Sequence, residues 1–254
     1  MTMKSRSFAF NATGIVLMLL LWQFAGMRLG DALLATPLQI ARTLPGLLSD
    51  AVFWKALWST LWQMLLGYAL ALATGIPLGI AMGRSAAVRI LVKPWASMFV
   101  VVSSAALVPL FIILMGRGLM LGVCIVFAAT VWYVVLTMME AARAVSPRLL
   151  DAARSFGASR GQCFRWVLLP ALHPYVLVAA RIGFTHALRA MITAQMFVGT
   201  GYGGLINDAG LDLSTAGFFG LIVMLMLVSV LATGMLRRIA HIAAPWYASK
   251  TGQS

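Results

Sequence analysis

Two arginines, a histidine and a threonine share one side of a long apolar stretch near residues 171–197. Arg181 and Arg189 lie eight residues apart, and His186 and Thr193 fall three residues before and four residues after Arg189, so a helix would align all four. A guanidinium can hold a carboxylate, sulfonate or nitrate group through two parallel N–H donors. We therefore predict a polar stripe that lines a pathway for an anion, with Arg189 as its main contact.

Ionisable groups inside an apolar helix are expensive, so each of them needs a partner or a function. Arg181 lies nearer one end of the stretch, and its alternative role is to pair with a neighbouring carbonyl or to reach lipid headgroups. His186 has no acidic partner in any apolar stretch, which favours a neutral hydrogen-bonding imidazole over a proton relay.

A basic loop at 140–170 precedes this stretch, and its capping and turn residues predict two short helices. Ser146 and Pro147 suit the N-cap and first position of one helix, which we expect to end at a left-handed Gly157. Ser159 and Gln162 have the spacing of a capping box, which predicts the start of a second short helix. The sequence thus predicts a compact helix-turn-helix outside the bilayer.

The composition is that of a membrane protein, with 62% hydrophobic residues, 10% charged residues and a mean hydropathy of +0.96 over 254 residues. A spanning helix needs about 20 mainly apolar residues. We predict one all-α membrane domain over residues 1–254, with about six spans and a cytoplasmic loop at 140–170. The predicted spans lie near 11–27, 57–83, 94–115, 119–139, 171–197 and 215–236.

The net charge of +13 follows the predicted topology and does not indicate a nucleic-acid site. With six spans and the N-terminus inside, thirteen basic residues face one side and four face the other. Basic residues concentrate on the cytoplasmic side of membrane proteins, where they also meet anionic lipid. Both termini are therefore predicted to be cytoplasmic.

Glycines mark two further features of the chain. Gly67, Gly75, Gly79 and Gly83 recur at multiples of four residues in the second predicted span, which indicates a close contact with a neighbouring helix. The cluster at 199–204 is rich in glycine but lacks the Lys-Ser/Thr pair of a phosphate loop, so it predicts an external turn.

The basic loop resembles the signature of bacterial ABC importer permeases, which reads Glu-Ala-Ala, three residues, Gly, nine residues, Ile, any residue, Leu-Pro. The only departures here are Asp for Glu and Val for Ile, which keep the chemistry of both positions. The matching residues are Asp151-Ala152-Ala153, Gly157 and Val167-Leu168-Leu169-Pro170.

The resemblance implies a type I ABC importer permease fold with a coupling helix between spans four and five. It implies a pore subunit without catalysis or a bound cofactor of its own, since ATP-Mg would sit on two partner ATPase subunits. A second permease copy, most simply in a homodimer, and an external substrate-binding protein would complete the assembly in the bacterial inner membrane. The coupling residues would be Asp151, Ala152, Ala153, Gly157, Leu169 and Pro170.

Further segments are similar to the nitrate, sulfonate and taurine importer type, which implies a small anionic solute moved by alternating access. They are Thr36-Pro37, Leu66-Gly67-Tyr68, the run 75–79 and Leu107-Val108-Pro109-Leu110. Gln195 departs from that group, where an acid is common at this position.

Two other classes of protein remain as alternatives. An ion-coupled secondary transporter would be expected to show repeat symmetry and acids within its spans, and neither is evident. An intramembrane enzyme would need a nucleophile with a base, or a metal cluster. Cys124 falls in a span and Cys163 in the basic loop, so they predict neither a disulfide nor a metal site.

Overall fold

The computed structural model describes residues 3–30 and 33–243, and for residues 3–12, 237 and 239–243 it describes the helical backbone alone. Every regular element in these ranges is helical. Eleven helices and one π-helical turn are seen in the described chain: α1 (Met3–Leu29), α2 (Pro37–Ser49), α3 (Ala51–Arg84), α4 (Ala86–Val101), α5 (Ser104–Met115), α6 (Leu119–Ala144), α7 (Pro147–Ser155), α8 (Arg160–Gln162), the π-turn (Cys163–Leu168), α9 (Leu169–Val198), α10 (Gly201–Leu211) and α11 (Thr215–Ala243).

The described chain contains four helical runs long and apolar enough to cross a membrane: Ala51–Arg84, Leu119–Ala144, Arg160–Val198 and Thr215–Leu236. They contain the predicted spans two, four, five and six. The predicted first span falls in α1, of which Thr13–Leu29 forms a shorter apolar helix.

The predicted span at 94–115 falls in two helices, α4 and α5, which together are long and apolar enough for one broken span. The helix starts earlier, at Ala86, and α4 and α5 meet at an angle of 102°. Ser103 occupies the N-cap position of α5 with an extended backbone, although its side chain makes no capping hydrogen bond. Ser103-Ser104 in the middle of an apolar run was the signal for this break. Residues 116–118, which lie between the predicted spans 94–115 and 119–139, separate α5 from α6.

The glycines of α3 pack directly on α6, as their spacing predicted. A Cβ at Gly67 would lie 2.5 Å from the carbonyl oxygen of Val123, and one at Gly83 would lie 2.5 Å from Cβ of Ala142. At Gly79 the corresponding distance to Cβ of Met138 is 2.6 Å. These approaches leave no room for a larger residue, so the two backbones meet along a glycine seam.

Helix α6 lies at the centre of the bundle, where it packs against α3, α4, α5 and α9. Its buried side chains include Val134, Val135 and Met138, all fully shielded. At one end of the bundle, the α7 end, Arg84 donates to the carbonyl oxygen of Ala142 at 3.4 Å. At the opposite, α10 end, helix α10 packs against α3, α9 and α11. The basic loop and the glycine-rich cluster therefore lie at opposite ends of the molecule.

Candidate functional site

Helix α7 begins and ends where the sequence predicted. Pro147 is its first residue, although the Ser146 side chain makes no capping hydrogen bond. Gly157 is left-handed with φ of +82°, its N–H donates to the carbonyl of Arg154 at 2.8 Å, and the next N–H donates to that of Ala153 at 3.1 Å. This pair of bonds is a Schellman motif, so the turn after α7 has one defined direction.

The second short helix is correctly capped but is not a separate element. Ser159 and Gln162 form the predicted capping box, with bonds of 2.7 and 3.3 Å. From there the chain runs through the π-turn directly into α9, which makes one helical run from 160 to 198. Pro170 explains the widened turn, because it lacks an N–H and its ring would clash with the carbonyl four residues earlier in a regular helix.

The outer face of α7 is exposed and mixes small, acidic and apolar groups. Asp151 and Ala152 are exposed, Ala153 is half-buried, and Leu150 on the inner face is buried. Phe156 at the end of the helix is 91% exposed. The Phe156 ring is therefore available for a contact with another protein. Sequence reasoning missed Phe156, although an aromatic residue directly before a turn glycine was visible.

The remaining coupling candidates, Leu169 and Pro170, are exposed at the start of α9. At the turn between α7 and α8, a polar cavity of about 600 Å³ is lined by Arg154, Ala158, Ser159 and Arg160. Arg154 forms an exposed pair with Asp151 at 3.4 Å, and such pairs contribute little to stability. The whole segment thus offers a basic, partly apolar surface that is fixed by its turn.

The polar stripe of α9 is present on an exposed face of the chain. Arg181, Thr185 and Arg189 are exposed along it, together with the apolar side chain of Ile182. The hydroxyl of Thr185 donates to the carbonyl of Arg181 at 3.2 Å, and that of Thr193 to the carbonyl of Arg189 at 2.9 Å. Within the described chain neither guanidinium forms a hydrogen bond or an ion pair. Two uncompensated cations therefore lie on one helix face.

His186 and Thr193 lie at the border of the stripe and are half-buried. The His186 ring stacks on Tyr133 of α6, with centroids 3.5 Å apart and an interplanar angle of 15°. Tyr133 donates in turn to the carbonyl of Val100 at 3.2 Å. The structure thus directs Arg181 and Arg189 outward, whereas His186 faces a helix neighbour.

A buried polar network at the α10 end was missed by sequence reasoning. The side-chain oxygen of Gln195 accepts from the hydroxyl of Thr60 at 2.7 Å and from the N–H of Gly203 at 3.2 Å. Thr60 accepts from the N–H of Tyr202 at 2.9 Å, and the Tyr202 hydroxyl donates to the carbonyl of Leu221 at 2.7 Å. Burial raises the pKa of the Tyr202 phenol, which keeps it a neutral donor.

The glycine-rich cluster is a turn only at its first two residues. Gly199 is left-handed, and helix α10 begins at Gly201, so the predicted turn over 199–204 is wrong beyond Thr200. A Cβ at Gly201 would collide with the side-chain amide of Gln195, and one at Gly203 would lie 2.5 Å from the carbonyl of Ile192. These glycines let α10 pack against α9.

Comparison with known proteins finds matches over most of the chain. The family described as "Binding-protein-dependent transport system inner membrane component" matches residues 75–241. The taurine transport system permease protein TauC of Escherichia coli is 29% identical over 239 residues, which cover 91% of this chain and 87% of that protein. The nitrate import permease protein NrtB of Synechocystis is 30% identical over 86 residues, or 34% and 31% of the two chains.

A solved structure of the MetNI methionine ABC transporter in inward-facing conformations contains a similar chain. Its TM-score is 0.69 at 18% identity, and the match covers 76% of this chain and 96% of that one. This likeness shows a shared fold, the all-helical fold of a type I importer permease. The segment 146–170 and the stripe of α9 both lie inside the residues matched by the family.

Proposed function

We propose that this chain, which belongs to the family of binding-protein-dependent transport system inner membrane components, forms the transmembrane pore of an ATP-driven importer. The family consists of ABC importer permeases. The observation that carries the proposal is the segment 146–170, which combines the signature spacing with an exposed helix at a fixed turn. The solute would be a small anion such as a sulfonate, nitrate or a related organic acid.

In this proposal α7 docks on an ATPase subunit. Ala152 and Ala153 allow close approach, Asp151 supplies an acceptor, and Phe156 adds apolar contact area. The turn at Gly157 fixes α7 relative to α8, and α8 continues without a break into α9. A displacement of α7 would therefore be transmitted to the helix that carries the polar stripe. This coupling is how ATP binding and hydrolysis would drive alternating access.

We further propose that the stripe faces a second copy of the chain across the pathway. Two exposed guanidiniums without partners would be costly against lipid, and a water-filled gap between two copies removes that cost. Arg189 would then contact the passing anion with bidentate hydrogen bonds. The relatives named for taurine and nitrate transport are consistent with a solute that carries a negative group.

The complete importer would contain two of these chains, two ATPase subunits that bind ATP-Mg, and an external substrate-binding protein. The chain itself would perform no catalysis and hold no cofactor. The α7 end would face the cytoplasm of a bacterium, with both termini on that side, and the α10 end would face the binding protein. Basic residues near the α7 end would also meet anionic lipid.

The assignment is tested by purifying the tagged chain in mild detergent from its native membrane and measuring the ATP-binding subunit that remains bound. We expect a stoichiometric subunit with the wild type and a strong loss of it with Phe156→Ser. Leu211→Ser is the matched control, because Leu211 is also an exposed apolar side chain (74%) but lies at the α10 end. A wild-type chain that purifies without any such subunit, under every nucleotide condition, would refute the proposal.

A further inference from the structure

A cavity of about 300 Å³ opens at the α10 end between α3 and α10. Lys55 and Ser59 line it from α3 at a spacing of four residues, and Gly201, Gly204 and Asp208 line it from α10 at spacings of three and four. Each helix thus contributes one face to the cavity. We call it the α10 cavity.

The two walls of the α10 cavity carry opposite charges that do not neutralise each other. Lys55 and Asp208 are exposed, and neither the Lys55 ammonium nor the Asp208 carboxylate forms an ion pair or a hydrogen bond with the described part of the chain. Ser59 accepts a hydrogen bond from the Gln63 amide at 3.0 Å, which leaves the hydroxyl proton of Ser59 available. One wall therefore offers donors and positive charge, and the other offers a carboxylate.

The walls are held in place by buried groups directly behind them. Thr60, the residue after Ser59, is buried and accepts from the N–H of Tyr202, the residue after Gly201. Gln195 is 4% exposed and fixes both Thr60 and the backbone of Gly203. A site whose walls are already fixed loses little entropy when a ligand binds.

We propose that the α10 cavity binds a small zwitterion, with its anionic group against Lys55 and Ser59 and its ammonium against Asp208. The cavity volume suits a small molecule. A simple anion would leave Asp208 unpaired and be repelled by it, so the two charges together select for solutes that carry both. The inference deepens the proposed function, on which it rests: the cavity would receive the solute at the entrance to the pore.

The test uses the purified complex of the chain with its ATPase in lipid nanodiscs, and calorimetry with three probes. Taurine carries both charges, ethanesulfonate only the negative one and ethylamine only the positive one. We expect taurine to bind about tenfold more tightly than either analogue, as one additional charged hydrogen bond would give. Lys55→Gln and Asp208→Asn should each weaken taurine binding about tenfold, and Asp208→Asn should not weaken ethanesulfonate binding.

Asp212→Asn is the matched control, because Asp212 caps the same helix but does not line the cavity. The exchange Lys55→Glu with Asp208→Lys should restore part of the taurine affinity in a reversed orientation, which a misfolded variant would not do. The proposal is overturned if taurine shows no binding at millimolar concentration, if it binds no better than ethanesulfonate, or if Asp208→Asn matches Asp212→Asn. An ATPase retained in that same preparation would leave the pore assignment standing, so the two failures are distinguishable.

Discussion

The packed seam between α3 and α6 and the exposed turn after α7 both depend on a glycine, but for different physical reasons. Gly79 lies in the seam between α3 and α6, where a Cβ would lie 2.6 Å from the carbonyl oxygen of Val135. Gly157 lies at the turn after α7, where a Cβ would meet nothing within 4 Å but φ is +82°. The first glycine is required by its neighbours and the second by its own backbone.

The glycines of the seam stabilise the helix bundle, whereas Gly157 orients a surface that we propose binds a partner. In the seam, each substitution meets packed atoms of another helix, so its cost appears in the stability of the chain. In the coupling segment, side chains face open space, so their loss should appear only when a partner is present. Substitutions can test that separation, and their cost to the stability of the chain should decrease from the seam to the polar stripe.

The largest effect is expected from Gly79→Val. Its side chain would overlap both the backbone and Met138 of α6, and overpacking of this kind typically costs about 1–3 kcal/mol or more. We expect loss of monodisperse protein in size-exclusion chromatography in detergent. Gly234→Val is the control, because Gly234 also lies in a long apolar helix but has nothing within 4 Å of a Cβ. Equal yields of the two variants would show that the seam tolerates expansion.

A smaller loss is expected from Gln195→Leu, which removes the centre of the buried network. The N–H of Gly203 would lose its acceptor, and a buried group left without a partner costs about 1–3 kcal/mol. We expect a lower thermal unfolding temperature while the ATPase remains bound. Met196→Leu is the control, because that neighbouring side chain is exposed. An unchanged unfolding temperature for Gln195→Leu would show that the buried network does not contribute to the stability of the chain.

Gly157→Val should cost less stability, since an L-residue in the left-handed region costs about 1–2 kcal/mol and no atom obstructs the new side chain. The larger consequence should be loss of the bound ATPase, because the turn direction changes. Gly161→Val has equally open surroundings without the positive φ, and Gly157→Asn keeps left-handed preference. Both should retain the ATPase. Full retention by Gly157→Val would separate the turn from coupling.

The sequence predicted most of the features that depend on local chemistry. The start of α7 at Pro147, the capping box of α8, the left-handed Gly157 and the glycine spacing of α3 are each encoded within a few residues, and all are confirmed, although Ser146 makes no capping hydrogen bond. The all-helical membrane fold follows from composition and is likewise confirmed.

Features that depend on distant residues could not be predicted in this way. Gln195 accepts from Thr60, which lies 135 residues away in the chain, so no local pattern indicates the pair. The bend between α4 and α5 has only a weak local signal, since Ser103-Ser104 is a short polar break in a mainly apolar run. The capping box at Ser159 predicted a separate short helix, but the π-turn joins α8 directly to α9. The position of Pro170 alone does not indicate that the helix continues through it.

Arg189→Ala should have the least effect on stability and a clear effect on transport. Its guanidinium forms no hydrogen bond or ion pair with the described residues, so the yield, the unfolding temperature and the bound ATPase should match the wild type. Uptake of labelled taurine, normalised to assembled complex, should fall about tenfold if the group holds the anionic end of the solute. Arg189→Lys keeps the charge but not the bidentate geometry, and should lie between the two.

The control for Arg189 is Arg117→Ala, since Arg117 is also exposed but lies in the hairpin between α5 and α6. Unchanged uptake with Arg189→Ala would show that Arg189 does not contact the transported solute, and would contradict the proposal that the stripe lines the pathway. Reduced uptake with both variants would instead indicate a general effect of positive charge. A loss of uptake with Arg189→Ala but not with Arg117→Ala would show that residues which contact the solute are distinct from residues which stabilise the helix bundle.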